Sequence, residues 1–224
     1  MQHSTTFPRS PRILKGGLVL IDPESAAVQR VITLQYNPDS LSRKFEVQGS
    51  GGQGGDRSEA LRLTGPPVET INLEAEIDAA DQLEFPDEEE NAPYVELGIG
   101  PHLAALETIV YPASGDVQAA NQLANAGTIE IAPMESPLSL FVWSRNRVLP
   151  VRLTELSITE EAFDVNLNPI RAKVSLGMRV LSGNDLLDTH KGASLFMAYH
   201  QQKEMLAARH QGGNLSGLGI SQIP

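Results

Sequence analysis

The chain reads as a mainly β, α+β protein: an antiparallel barrel or sandwich with a short helical insertion and a C-terminal helix. Three observations carry that expectation. Val68 to Asp78 alternates Ile71, Leu73, Ala75 and Ile77 with Asn72, Glu74 and Glu76, the period of a strand with one buried face. Ile170 to Leu181 does the same: Ile170, Ala172, Val174, Leu176, Met178 and Val180 share one face, and Arg171, Lys173, Ser175 and Arg179 the other. Helical spacing is confined to the middle of the chain and its end. Strands with one apolar and one charged face suit a small barrel or a sandwich, in which one side of the sheet meets the core.

The remaining elements follow in order. Lys15 to Ile21 predicts a strand ended by Asp22-Pro23. Val28 to Tyr36 predicts a second, with Ile32, Leu34 and Tyr36 on one face, broken by Asn37-Pro38-Asp39 because proline cannot continue a ladder. Leu41 to Val47 is a third, more polar candidate. Gly49 to Gly55 is a glycine-rich loop. It matches G-x-G-x-x-G formally, but Leu61 and Leu63 follow in a strand-like segment where a dinucleotide site needs a helix. Asp81 to Asn91 reads as an acidic loop without calcium-loop spacing. Pro101 to Tyr111 and Asp116 to Ala126 predict short helices, the first with Leu103, Leu106, Ile109 and Val110 near one face. Leu138 to Ser144 is an apolar strand, turning at Arg145-Asn146 into a strand from Arg147 to Ile158. Ala193 to Arg209 is a helix with Leu195, Tyr199, Gln202 and Leu206 in register, and a tail without periodicity follows, expected to be flexible.

Composition excludes several classes. The chain has 224 residues, long enough to bury a real core. It has no cysteine, so disulfides, a thiol nucleophile and cysteine-held metals are ruled out. No run approaches 18 apolar residues, so no transmembrane helix is readable, and Met1 to Leu14 lacks the apolar centre of a secretory signal. A net charge of −11 argues against a nucleic-acid surface. The charge is uneven: between Leu63 and Ser144 there is no Lys or Arg, while fifteen of the 28 acids lie there. An acidic middle with mildly basic flanks reads either as a solvated acidic loop on an average surface or as charge by which identical subunits attract one another in a ring or stack.

No constellation predicts catalysis. The five histidines show no paired-ligand spacing, and no G-x-S-x-G elbow is present. His200 and Glu204, one helical turn apart, read as a surface pair. No cofactor and no metal are expected. The candidates are for partner binding: Phe141, Trp143, Arg145, Arg147, Glu160, Glu161, Phe163, Asn166, Asn168, Arg171, Lys173 and Arg179. Phe141 and Trp143 point the same way, as core or as an exposed contact. Glu160 and Glu161 follow a strand directly. Arg171, Lys173 and Arg179 line a lumen or meet the acidic Glu74/Glu76 face, and the Asn166-to-Pro169 stretch aims the loop before the long strand.

Several runs in order resemble the N-terminal domain of the contractile injection system tube protein family. They are LKGGLVLID (Leu14 to Asp22), LQYNPDSLSRKFE (Leu34 to Glu46) and LTGPPVETINLEAEIDAAD (Leu63 to Asp81), then HLAALETIVYP (His102 to Pro112). The long run from Phe141 to Leu181 and LFMAYHQQKEMLA (Leu195 to Ala207) complete the series. The resemblance implies a barrel or sandwich of the phage-tail-tube type over residues 14–209, with the acidic loop and helical insertion at 79–136. Residues 1–13 form an N-terminal arm and 210–224 a flexible tail. It implies a non-enzymatic baseplate hub of a phage-tail-like particle: a homohexameric ring joining the spike protein to the inner tube protein and touching other baseplate proteins. Such a protein is cytoplasmic at assembly and binds neither nucleic acid nor membrane. The alternative is a tube-terminating, cap-proximal adaptor or a cargo-binding module of such a particle. Relatives often carry a LysM module after this domain, which the present sequence lacks.

Overall fold

The computed structural model describes residues 14–49, 61–125 and 136–223. Seven strands form one antiparallel sheet: β1 (Gly17–Ile21), β2 (Val28–Thr33), β3 (Leu41–Glu46), β4 (Val68–Asp78), β5 (Leu138–Ser144), β6 (Arg147–Phe163) and β7 (Pro169–Val180). Their order is β2-β1-β5-β6-β7-β4-β3. Helices α1 (Ala80–Leu83), α2 (Ala92–Leu97), α3 (Gly100–Glu107) and α4 (Ser114–Asn125) lie between β4 and β5, and α5 (Lys191–Ala208) follows β7.

The long β6 is shared between two halves of the sheet. Its Arg147–Val151 portion pairs with β5, whereas Val151–Phe163 pairs with β7. Only Val151 faces both neighbours, Ser139 on one side and Val180 on the other. Bulges at Leu153/Glu155 and Glu160/Ala162 add bend to the same strand. The two halves close on one core, which holds Leu18, Ile32, Phe141 and Leu149 from the first and Ile71, Leu73, Val174, Leu176 and Met178 from the second.

The link between the edge strands requires this folding. β2 and β3 are joined by residues 34–40 alone. Flat, a seven-stranded sheet separates its edges by about 29 Å at ~4.8 Å per spacing, more than the roughly 26 Å such a linker spans when stretched at about 3.3 Å per residue. The linker is not stretched. Asn37 accepts from Gly16 N at 3.0 Å and donates to Leu14 O at 2.8 Å. Gln35 then donates to Asp78 O at 2.6 Å and accepts from Asp78 N at 2.8 Å, a side-chain amide continuing the edge of β4. No strand pairing joins β2 to β3 among the described residues, so of the expected barrel or sandwich the barrel is not closed: the mainly β, antiparallel sheet is open and folded over itself.

Each half-open end is covered by helix. At the Asp78 end, α3 buries Leu103 and Leu106, and Ile99 before it is fully buried. These side chains contribute on the order of 2 kcal/mol each. Ile99 N donates to Pro169 O at 2.8 Å and Ala79 N to Ile170 O at 2.9 Å, which fixes the insertion to β7. Gly98, at φ +57, turns the chain between α2 and α3 directly against the Pro169 carbonyl. At the other end α5 packs along β6. Its Leu195 joins a second apolar cluster with Ile21, Leu138 and Leu140, and Tyr199 is buried in the main core.

Several boundaries differ from expectation. β2 stops at Thr33, and Tyr36 is exposed because Leu34 to Asn37 turn to bond Gly16 and Asp78. The acidic stretch is not a loop throughout: it contains α1 and a 3-10 turn at Glu89–Asn91, and α2 follows it. β6 runs past Ile158 to Phe163, because β7 supplies a partner for its polar end. Leu63 forms a single bridge to Gly49, and no strand is present at Leu61 to Leu63. The tail contains a 3-10 turn, Leu215–Leu218, capped by Asn214. The arm before Leu14 and all of the glycine-rich stretch but Gly49 lie outside the described residues.

Candidate assembly surface

The outward face of β4, β7 and β6 is a charged ladder built by register. Glu76 stands opposite Lys173 and Asp78 opposite Arg171. Arg171 Nε meets Asp78 Oδ2 at 2.6 Å and Glu76 Oε1 at 3.8 Å, and Lys173 Nζ meets Glu161 Oε1 at 2.8 Å. The hydrogen bond to Glu161 and its charge hold the Lys173 ammonium above its ordinary range, and Asp78 does the same for Arg171. Arg171 thus meets the acidic strand β4, and Lys173 the neighbouring β6, within one subunit. Such exposed cross-strand pairs set register more than stability. Beside them a shallow groove is lined by Tyr36, Asn37, Asp39, Glu74, Glu76 and Lys173. Burial and the nearby carboxylates Asp81, Asp78 and Glu76 push the Tyr36 phenol up.

The other candidate residues divide into three places. Phe141 is fully buried and Trp143 half-buried, with rings stacked at 5.8 Å. The first is therefore core of the subunit, and the second covers Gly16, where a Cβ would strike its ring. Arg145 is exposed in the β5–β6 turn and Arg147 half-buried at the start of β6. Arg179, at the opposite end of β7 from Arg171, bonds Asp185 Oδ1 at 2.7 Å. Glu160, Glu161, Phe163, Asn166 and Asn168 gather with Arg171 and Lys173 around the β6–β7 tip.

That tip is organised by Asp164. Its Oδ1 accepts from Asn166 N and Asn168 N, both at 2.8 Å, and its Oδ2 from Asn168 Nδ2 at 2.8 Å. Asn168 Nδ2 also donates to Glu96 O at 3.0 Å, tying the tip to α2. Leu167 sits at φ +67, a conformation L side chains rarely adopt. The Asn168 side chain, followed by the backbone donors of Asn168 and Asn166, holds the Asp164 carboxyl below its ordinary value. A lowered folded value means that this stabilisation is complete above the unfolded pKa, about 3.9, and is lost as pH falls through the folded one. Side-chain NMR should therefore place the Asp164 titration below the ordinary aspartate value. Asp164→Ala should increase amide exchange at Val165 to Asn168 at pH 7, with little difference from wild type in strong acid.

Sequence reasoning passed over a second polar centre. Glu69 is 3% exposed. It meets Lys203 Nζ at 2.9 Å, Tyr199 Oη at 3.2 Å and Arg43 Nη1 at 3.5 Å. Lys203 lies 4.0 Å over the Tyr199 ring, and Phe45 receives both Lys203 and Arg43 at 5.3 Å. The signal was available: Glu69 has the parity of Ile71, Leu73, Ala75 and Ile77 and so lies on the core face. Among the described residues, no group of three or more His, Asp or Glu side chains is arranged to hold a metal, and no helix is long and apolar enough to cross a membrane.

No family model matches the chain, and no curated protein matches it. The solved structures similar to it in part include two from gene transfer agent particles. One is a chain in the tail of an empty gene transfer agent particle, computed with helical refinement in C6 symmetry. It is 12% identical with a TM-score of 0.27, over 74% of this chain and 90% of that one. The other is a chain of the virion of a native gene transfer agent particle, 12% identical with a TM-score of 0.26 over the same shares. Neither assigns a role to this chain.

Proposed function

We propose that this chain is a structural component of a phage-tail-like contractile injection particle. In this reading six copies form a ring that connects the central spike to the inner tube, and the ring transmits load without catalysing a reaction. The observation that carries the reading is the open, folded sheet: β2 and β3 each have one strand partner among the described residues. Exposed edges are hazards in a free monomer, and a closed ring of copies consumes them. Backbone bonding between edges would then join subunits while alternate side chains set specificity. The ordered runs that resemble the tube protein family support the same reading, as does the self-complementary charge. A permanent ring requires on the order of 1,000 Å² or more buried per neighbour.

Light scattering tests it directly. Purified chain is expected at six times the monomer mass, or, mixed with its spike and tube proteins, as six copies within a correspondingly heavier complex. A monomer under both conditions, with turnover of a cell-wall or sugar substrate, would replace this reading with an enzymatic one.

A further inference from the structure

The groove between the linker after β2 and the outward face of β4 holds about 210 Å³. Tyr36, Asn37, Pro38 and Asp39 form one wall, and Glu74, Glu76 and Lys173 the other. Tyr36 is 47% exposed. Asp39 and Glu74 form no ion pair among the described residues, and Glu76 stands 3.8 Å from Arg171, whose closer partner is Asp78. Lys173 is held by Glu161. Lys15, exposed beside Leu14, is a further cation close to Asn37. Burial first, and then Asp81, Asp78 and Glu76, raise the Tyr36 phenol, so the potential at that wall is negative.

Residues 1–13 join the fold at this wall. Asn37 donates from Nδ2 to Leu14 O at 2.8 Å and accepts from Gly16 N at 3.0 Å. The sequence before Leu14 carries Arg9 and Arg12 and no Asp or Glu. Pro8 and Pro11 fix their own φ and bias Phe7 and Ser10 before them to extended backbone. Extended chain of this kind turns every three residues with a rise of ~3.1 Å, so Arg9 and Arg12 share a face about 9 Å apart. Glu74 and Glu76 share the outward face of β4, about 7 Å apart at ~3.4 Å per residue. Arg12 is two residues from Leu14, within about 7 Å of it.

We infer that residues 7–12 lie along this groove as a strap of the same chain, with Arg9 and Arg12 on Asp39, Glu74 and Glu76 and a proline against the Tyr36 ring. Three observations name the occupant. The segment is tethered at the groove wall, its charge is of one sign and opposite to the unpaired acids, and its Pro8-x-x-Pro11 spacing is that of extended segments that dock on exposed aromatic rings. Guanidinium forks fit carboxylates in pairs. The short tether keeps the local concentration high, so shallow contacts suffice. The strap leaves β1 in one half of the sheet and lies on β4 in the other. It thus adds a second connection across the open side, beside the linker of residues 34–40. It does not depend on whether copies close into a ring.

Spin-label distances test this in the full chain, which has no native cysteine. Thr6→Cys and Ser40→Cys, both outside the contact, are combined, labelled with nitroxides and diluted into unlabelled wild type, so that only pairs within one chain are read. The expected result is one narrow distance. Arg9→Gln/Arg12→Gln should broaden it, and Asp39→Asn/Glu74→Gln should broaden it to the same extent. Raising salt toward 1 M, where the screening length is about 3 Å, should do so too. Asp39 and Glu74 are exposed in the fold, so circular dichroism should not change. A broad distribution in the otherwise wild-type chain overturns the inference, and so does a narrow one that survives either pair of neutralisations. A short distance seen only when singly labelled Thr6→Cys and Ser40→Cys chains are mixed overturns it in favour of a neighbour's arm. A six-copy mass with a broad distribution removes the strap alone, and a narrow distance in a monomer removes the ring alone.

Discussion

Glu69→Ala is expected to lower the unfolding free energy by about 3 kcal/mol, near the lower end of the range for breaking a buried ion pair. The carboxylate is almost wholly buried, while Lys203 and Arg43 retain about a third of their side-chain exposure. Both cations can therefore recover water when the carboxylate is removed, which keeps the cost from the upper end of that range. The lost contacts join three elements. Glu69 belongs to β4, Arg43 to β3, and Tyr199 and Lys203 to α5. The cation–π contacts of Lys203 with Tyr199 and Phe45 depend on the same placement. Urea denaturation should show a lower midpoint with an unchanged slope. Hydrogen exchange should accelerate first in α5 around Tyr199. Lys203→Met is the informative companion. It leaves the carboxylate buried with Arg43 at 3.5 Å and the tyrosine hydroxyl, so a double-mutant cycle with Glu69→Gln should show a coupling of about 1 kcal/mol or more. Additive effects would mean that the bridge contributes nothing beyond packing.

Sequence alone supports the strands whose two faces differ in polarity. β4 was legible to its ends, and the core faces of β4 and β7 follow from alternation alone. The polar end of β6 was not, because Thr159, Glu160 and Glu161 resemble a solvated strand end until β7 pairs with them. α2 was hidden in the same way. Its six residues are too few to show a period, and Asn91 before it is held from outside by a bond to Phe85 O at 2.9 Å. The folding of one sheet into two halves was beyond reach for a topological reason. β1 pairs with β5, and β4 with β7, across long intervening segments, and no local pattern encodes which distant strands meet. Of the partner-binding candidates, those around the β6–β7 tip do gather in space. Asp164, the residue that organises them, sits in the run Asp164-Val165-Asn166-Leu167-Asn168. Such alternating Asp and Asn residues favour side-chain-to-backbone turns, and that signal was overlooked in favour of Asn166 and Asn168.

Gly98→Ala should be the most damaging single methyl group among the described glycines. At φ +57 and ψ −138 the backbone is in a region essentially reserved for glycine, which costs about 1–3 kcal/mol for any other residue. The added Cβ would also overlap the Pro169 carbonyl oxygen, which is main chain and cannot swing aside. That oxygen accepts the 2.8 Å bond from Ile99 N. Relief therefore requires the insertion to move off β7, which breaks this bond and withdraws Ile99, Leu103 and Leu106 from the core. A total loss of about 4 kcal/mol follows, from strain, one buried hydrogen bond and partial loss of apolar burial. For a chain of this size that corresponds to a fall of roughly 10 °C in Tm. Gly100→Ala, two residues on, is the control. It lies in the first turn of α3 with nothing within 4 Å of the new Cβ, so alanine should be neutral or stabilising by less than about 1 kcal/mol. If Gly98→Ala melts with Gly100→Ala, then the insertion is not fixed to β7 in solution. The acidic segment would then no longer be held at the Asp78 end of the sheet.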